Sequence, residues 1–343
     1  MKVKKLTRKA LLIVALTTVL LGISTLQAFA LPPYVTANSN GSTSVYACPD
    51  SSSMVVGSIG VESVKVYWKE GGYYYIEYVV SSGAYGGYKR GYVPTSKINV
   101  SGISEINYSG FWSSNTNSGQ TVYNRSTTNS YVIGTVWSSD PITVLEQDGG
   151  WYFIQYPITN GYKRGYVPKD TVRSYRGKAR YRDGVKDTSL IWHGAIQDSH
   201  YYTGQLIEQS GYDVVRSVSY STFLDGKVDK GARYVSGMNW LAFDNVTLTA
   251  EYLAKRQSIT YYVFGLMIHN APDTSPWVYP DNVTSMRCDG VIEYAYEWNN
   301  WRVQSGWLDG TEYWDISTPV GALAHNATIT LNPQQQAGRM ATY

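Results

Sequence analysis

The sequence predicts two small all-β barrels followed by an α+β domain, after a segment that is removed on export. Three observations lead to this prediction. A basic and then apolar stretch opens the chain, blocks of sequence recur at a nearly constant spacing, and helical patterns mix with strand-like ones only after residue 174. The chain has 343 residues, 43% of them hydrophobic, which suffices for several hydrophobic cores.

Residues 1–30 have the layout of a secretory signal peptide. Basic residues in the first nine positions precede an apolar run at 10–23, and Ala28-Phe-Ala30 places small residues where a signal peptidase cleaves. The apolar run is short for a membrane-spanning helix. We therefore expect a secreted, extracellular protein with no stable membrane insertion, and a retained anchor is the alternative.

The charge balance argues against a nucleic-acid partner. The formal net charge is +3, but residues 1–30 hold five of the 29 basic residues and no acidic one. The rest of the chain has 24 basic and 26 acidic residues, a net charge of −2. A chain without a basic excess lacks the electrostatic attraction that nucleic-acid binding requires.

Two blocks of sequence recur along the first half of the chain. Gly71-Gly-Tyr-Tyr-Tyr-Ile-Glu-Tyr78 matches Gly149-Gly-Trp-Tyr-Phe-Ile-Gln-Tyr156, and Tyr88-Lys-Arg-Gly-Tyr-Val-Pro94 recurs unchanged at 162–168. The offset changes only from 78 to 74 residues, so the blocks are in register and indicate a duplication. Short alternating segments between Gly-Gly turns predict a small β-barrel in each copy.

The second copy carries the motifs of a known domain. Thr121-Val-Tyr-Asn-Arg125, Gly150-Trp-Tyr-Phe153 and Arg164-Gly-Tyr-Val167 resemble the motifs of the bacterial SH3-like (SH3b) domain. The resemblance covers residues 38–100 and 115–172. It implies SH3-like barrels that bind peptidoglycan or another cell-wall polymer.

The first copy departs from this pattern at two positions. Cys48 stands where the second copy has Arg125, and Tyr73 replaces Trp151. We expect Cys48 to be a small buried apolar residue. A disulfide with Cys288 is possible in an exported protein, but the two cysteines fall in different predicted domains.

Residues 175–343 are predicted to form the α+β domain. Leu248–Arg256 and Gly290–Trp298 have helical periodicity, whereas Leu190–Ile196 and Gln205–Glu208 have the apolar character of strands. Cys288 directly precedes the second helical pattern. A thiol at a helix start experiences the positive end of the helix dipole, which predicts a lowered pKa and a nucleophilic thiolate. A structural cysteine at the helix end is the alternative.

The surroundings of Cys288 resemble an enzyme motif. Cys288-Asp-Gly-Val-Ile-Glu-Tyr-Ala-Tyr-Glu297 is similar to the cysteine motif of the papain-like NlpC/P60 superfamily, although Asp289 stands where serine is common. His193-Gly-Ala-Ile196 resembles the histidine strand of the family, and its place before the cysteine resembles the circularly permuted branch. The resemblance implies that Glu208, on the next strand, orients the imidazole.

These residues imply a cysteine peptidase or amidase. His193 would take the proton of Cys288, the thiolate would attack an amide carbonyl, and Glu208 would hold the imidazole. His325, which follows Cys288 in the unpermuted order, is the alternative base. Water as acceptor gives hydrolysis and an amine gives transpeptidation, and the sequence leaves both open.

Motifs for other chemistries are absent from the sequence. The four histidines are scattered and lack the spacing of a zinc site, so we expect no metal. The sequence has no glycine-rich phosphate loop, so we expect no nucleotide cofactor. We therefore expect a monomeric, exported hydrolase that cleaves an amide bond of peptidoglycan stem peptides and is held at the wall by its β domains. The alternative is a non-catalytic wall-binding or ligand-binding protein with an inactive papain-like domain, and a toxin or adhesin is a third possibility.

Overall fold

The computed structural model describes residues 34–80, 87–106, 112–184, 192–211, 214–262, 267–269, 278–301, 303 and 332–343. The chain forms two compact units that divide between Val172 and Arg173. The predicted signal peptide and His325 lie outside the described residues, and the predicted ranges 38–100, 115–172 and 175–343 stay predictions. Among the described helices, none has the length and apolar character needed to cross a membrane.

The first unit contains two six-stranded antiparallel sheets with corresponding strand orders, β1-β4-β5-β6-β2-β3 and β7-β10-β11-β12-β8-β9. The repeated sequence Tyr-Lys-Arg-Gly-Tyr-Val-Pro lies in β6 of one sheet and in β12 of the other. The strands are β1 Val35–Asn38, β2 Thr43–Tyr46, β3 Val55–Ile59, β4 Ser63–Glu70, β5 Tyr73–Val79, β6 Tyr88–Pro94, β7 Trp112–Ser114, β8 Gln120–Tyr123, β9 Val132–Val136, β10 Ile142–Asp148, β11 Trp151–Ile158 and β12 Gly161–Pro168.

The two sheets of the first unit share an aromatic cluster. Trp68 stacks on Tyr75 at 4.2 Å between ring centroids, and Tyr75 lies 5.3 Å from Phe153 of the second sheet. The hydrogen bonds across the pair are reciprocal. Arg90 donates to the hydroxyl of Tyr166 at 3.3 Å, and Arg164 donates to that of Tyr92 at 2.8 Å. Because this aromatic cluster and these hydrogen bonds join the two sheets, they form one unit.

The glycine of the repeated motif allows β6 to approach β2 closely. A Cβ atom on Gly91 would lie 2.5 Å from Cγ1 of Val45 and 2.9 Å from the carbonyl oxygen of Tyr46. We expect Gly91→Ala to lower the free energy of unfolding by about 1–3 kcal/mol, because the backbone oxygen cannot yield without moving a strand. Denaturant unfolding measures the difference. Gly41→Ala, where the added carbon meets nothing within 4 Å, is the control, and equal losses for both variants would contradict the prediction.

The second unit contains a six-stranded antiparallel sheet, ordered β16-β15-β14-β13-β17-β21, and a three-stranded sheet, ordered β18-β20-β19. Its strands are β13 Ala179–Arg182, β14 His193–Gln197, β15 Leu206–Glu208, β16 Arg216–Val218, β17 Asp229–Tyr234, β18 Thr260–Tyr261, β19 Met267–His269, β20 Val283–Met286 and β21 Ala341–Thr342. Its α-helices are α1 Tyr220–Leu224, α2 Trp240–Arg256, α3 Cys288–Glu297 and α4 Pro333–Arg339.

The two faces of the six-stranded sheet carry different elements. Helices α2 and α3 cover one face, where Ile196 of β14 and Ile207 of β15 join Val291 and Ile292 of α3 in the main core. On the other face, residues of β14, β15 and β16 pack with Phe223 of α1. Side chains alternate between faces along a strand, so this arrangement decides where each predicted site residue points.

The predicted fold class, two small all-β SH3-like barrels followed by an α+β papain-like domain, is wrong. The described residues are mainly β-sheet, with three six-stranded antiparallel sheets. In the first unit the end strands of each sheet, β1 with β3 and β7 with β9, do not pair, so the sheets are open. Alternating hydrophobicity predicts strands, but it does not determine whether the two end strands of a sheet meet. In the second unit, two helical patterns correspond to α2 and α3, but the described part of the chain around them is mainly strands, and helical periodicity in two segments does not determine the fold class of a domain.

Candidate active site

Cys288 is the first residue of α3, directly after β20 and Arg287. The residue is 7% exposed, and Val291 and Ile292 of the same helix lie in the core. The backbone amide of Gly194, the second residue of β14, is close enough to the sulfur to lower the pKa of the thiol. Both Cys288 and Cys48 are free thiols.

The glycine at position 194 allows α3 to lie close to β14. A Cβ atom at Gly194 would lie 2.6 Å from Cδ1 of Ile292 and 3.2 Å from the ring of Tyr181. The absence of a side chain therefore lets α3 approach the strand closely.

The electrostatics of the thiol differ from the sequence-based prediction. Burial, followed by the carboxylate of Asp289, raises the pKa of Cys288 to about 12. The amides of Gly194 and Asp289 and the Arg287 guanidinium act in the opposite direction, but they do not outweigh burial. The prediction of a lowered pKa is therefore wrong. The resting group is a neutral thiol, because the helix start lies in an enclosed environment beside an acid.

His193 and Glu208 form a direct hydrogen bond on adjacent strands. Nε2 of His193 lies 2.8 Å from Oε2 of Glu208. Glu208 is opposite Ala195 in the register of β14 and β15, so its side chain lies on the same face as that of His193. The ring of Phe223 is 5.6 Å from the imidazole and covers the pair from α1.

The protonation states of this pair follow from their surroundings. Burial lowers the pKa of His193 despite the opposing effect of Glu208. Burial alone would raise the pKa of Glu208, but the hydrogen bond from His193 and the guanidinium of Arg216 lower it. At neutral pH the imidazole is therefore neutral and the carboxylate ionised. An ionised carboxylate only accepts, so Nε2 carries the proton and Nδ1 carries the free lone pair.

The structure brings two of the three predicted site residues together and places the third across the same strand. His193 and Glu208 are in direct contact, and the thiol of Cys288 is close enough to the Gly194 amide for that amide to lower its pKa. The His193 side chain points to the α1 face, whereas α3 covers the opposite face. The thiol and imidazole therefore lie on the two sides of the first residues of β14 rather than side by side on one face.

Arg216 and Arg182 are site residues that sequence reasoning missed. Nη2 of Arg216 lies 3.1 Å from Oε1 of Glu208, and the two residues are opposite each other in β15 and β16. Arg182 is opposite His193 in β13 and β14, and its charge acts to lower the histidine pKa. Both arginines belong to neighbouring strands, so only the strand register would have identified them. Among the described residues, no group of three or more His, Cys, Asp or Glu side chains is placed to hold a metal ion.

The similarity of this chain to known proteins is confined to solved structures. No family model matches it, and no curated protein matches it at a significant level. Its structural neighbours are NlpC proteins. The structure of NlpC1 from Trichomonas vaginalis is 10% identical, covers 59% of this chain and 93% of that one, and has a TM-score of 0.18. The structure of NlpC2 from the same organism is 11% identical, covers 60% and 94%, and has a TM-score of 0.19. With such low TM-scores, the similarity supports no argument about family or function.

Proposed function

We propose that the chain is an exported cysteine hydrolase that cleaves an amide bond in the peptide stems of peptidoglycan. One observation carries the proposal: the His193–Glu208 hydrogen bond lies at the start of β14, next to the Gly194 amide that acts on the Cys288 thiol. A thiol nucleophile, a neutral base and a carboxylate that fixes the tautomer of the base are the three groups that a cysteine hydrolase uses for acyl transfer.

The proposed reaction starts from a neutral thiol and a neutral imidazole. Because the two groups lie on opposite sides of β14, Nδ1 of His193 takes the thiol proton through one bridging water as the Cys288 sulfur attacks the amide carbonyl carbon. The imidazolium then gives its proton to the leaving amine, the C–N bond breaks and a thioester remains on Cys288. In the second half, His193 takes a proton from water and the hydroxide attacks the thioester carbonyl. The C–S bond then breaks, the carboxylic acid leaves and the imidazolium returns its proton to the Cys288 sulfur. Glu208 keeps the proton on Nε2 throughout.

The N-terminal unit is proposed to hold the enzyme at the wall. Its exposed aromatic side chains support a binding role, because such rings offer an apolar face and, in tyrosine and tryptophan, a polar tip. They are Tyr34, Tyr88, Trp137 and Tyr162. Joining a binding unit to a catalytic unit raises the effective concentration of the enzyme at an insoluble substrate.

Release of soluble peptides from purified peptidoglycan tests the proposal. We expect the wild-type protein to release fragments that mass spectrometry identifies as products of amide hydrolysis, and His193→Ala to release none. His200→Ala is the matched control, since His200 pairs with Ser174 at 2.9 Å and lies outside the site, and it should keep its activity. Loss of release in both variants, or in neither, would contradict the assigned base.

One observation favours a second function. The Cys288 thiol is buried and its pKa is raised to about 12, which also suits a non-catalytic protein that binds the wall. Sedimentation with peptidoglycan separates the two functions. Wild-type protein that sediments with several wall types and releases no peptide from any of them would favour the binding protein.

The proposed base predicts a pH dependence. Because burial lowers the pKa of His193 below its ordinary value of about 6.5, the free base is present at neutral pH. Activity should therefore be complete at pH 7 and fall only as the pH drops through the lowered value. The measurement is kcat/KM against pH in buffers of constant ionic strength. If activity were already lost with a midpoint above pH 7 as the pH is lowered, His193 would not be the buried, neutral base that the structure indicates.

A further inference from the structure

Glu208 uses both of its carboxylate oxygens. Oε2 accepts the hydrogen bond from His193 at 2.8 Å, and Oε1 lies 3.1 Å from Nη2 of Arg216. The Glu208 side chain is only 2% exposed, so its charge needs a nearby cation. Arg216 also donates to Oγ of Ser210 at 3.2 Å, which fixes the guanidinium beside the carboxylate.

We infer that Arg216 is a positioning residue of the proposed reaction, which keeps Glu208 ionised and oriented so that His193 stays neutral. The inference rests on the proposed function. A buried carboxylate attracts the closest available positive charge. Arg216 supplies that charge permanently, because a guanidinium does not lose its proton in proteins. Without it, the imidazole would take up a proton, become the counter-ion of Glu208 and no longer accept the proton of Cys288.

Four charged groups act around the imidazole of His193. Glu208 on β15 and Asp289 on α3 favour its protonation, and Arg182 on β13 opposes it. Arg216 on β16 acts through Glu208. Among these groups, Arg216 is the one whose removal leaves the Glu208 carboxylate with only the imidazole as its ion-pair partner in the described structure.

The test compares the His193 pKa in the full protein and its variants by NMR, with the imidazole signal assigned from a His193→Gln spectrum. In Arg216→Gln we expect this pKa to rise by about one pH unit. The midpoint of the acid side of the kcat/KM profile should move to higher pH by the same amount. Activity that the variant loses at pH 7 should therefore return at higher pH. Arg216→Lys keeps the charge and should stay near the wild-type value. Arg233→Gln, an arginine on β17 outside the site, is the control.

A double-mutant comparison isolates the route through Glu208. In a Glu208→Gln background, Arg216→Gln should leave the His193 pKa unchanged, because the carboxylate that it neutralised is gone. An unchanged His193 pKa in folded Arg216→Gln would overturn the inference. A rise of about one pH unit in the His193 pKa of Arg216→Lys, which keeps the charge, would also overturn it. This second outcome can be measured even if Arg216→Gln does not fold. The NMR measurement needs no substrate. A wild-type protein without activity would therefore contradict the proposed function but not the effect of Arg216 on the His193 pKa.

Discussion

Replacing Cys288 with alanine should abolish peptide release, with a loss of about a thousandfold or more in kcat/KM. The sulfur forms the thioester in the proposed reaction, and alanine offers no substitute nucleophile. The measurement is the initial rate of fragment release from peptidoglycan at pH 7. The variant should still sediment with the wall, because the proposed wall-binding unit is unchanged.

Cys48 provides the matched control for this experiment. It is a free, buried cysteine like Cys288, with 8% exposure against 7%, but it lies in the N-terminal unit, where its thiol donates to the carbonyl oxygen of Tyr162 at 3.4 Å. Cys48→Ala should therefore keep the wild-type rate. If Cys288→Ala retained activity, or if Cys48→Ala lost as much, the assignment of the nucleophile would be wrong.

Replacing Asp229 with alanine should lower the free energy of unfolding by about 3–5 kcal/mol. Asp229 is the ion-pair partner of Arg180, whose side chain is fully buried, and Nε of Arg180 donates to Oδ1 at 2.9 Å. The hydroxyls of Tyr202 and Tyr220 donate to Oδ2 at 2.6 and 2.7 Å. Removing the carboxylate leaves a buried guanidinium without its counter-ion. Denaturant unfolding, followed by circular dichroism, measures the loss.

Asp183 gives the comparison for Asp229. It pairs with Lys230 at 2.8 Å, and both side chains are about one third exposed, so Asp183→Ala should cost less than about 1 kcal/mol. The two variants should also differ in their response to acid. Burial opposes ionisation of Asp229, but the hydrogen bonds from Arg180 and the tyrosines lower its pKa to about 2.

The sign of this acid response follows from the lowered pKa. The unfolded carboxylate takes up protons below about pH 4, whereas the folded one stays ionised until about pH 2. The ion pair therefore contributes its full stability above pH 4, and that contribution is lost as the pH falls towards 2. Similar losses for Asp229→Ala and Asp183→Ala would contradict the role assigned to the Arg180 pair.

Local patterns predicted several elements that position the candidate site. The helical periodicity after Cys288 corresponds to α3, which starts at that residue, and the apolar runs around His193 and Glu208 contain β14 and β15. These elements are short in sequence and have a strong hydrophobic pattern. A resemblance at three positions thus identified residues that the fold brings to adjacent strands and one helix start.

Properties that depend on tertiary neighbours were not predictable in the same way. The partnership of Arg216 with Glu208 depends on the register of β15 and β16, and open sheets depend on how their end strands are placed. The pKa of Cys288 has the opposite direction to the one that the helix dipole predicts. The dipole acts over one turn and contributes little in comparison with full burial of a charge, and the sequence did not reveal how deeply the thiol is buried.

The most direct test of the account is the rate at which iodoacetamide alkylates Cys288, mapped by mass spectrometry with Cys48 as internal reference. If His193 removes the thiol proton, His193→Gln should slow alkylation of Cys288 by about tenfold or more and leave the Cys48 rate unchanged. The wild-type rate should fall below neutral pH as the imidazole takes up its proton. Equal rates of Cys288 alkylation in both proteins at every pH would show that sulfur and imidazole do not act together, and would contradict the proposed hydrolase.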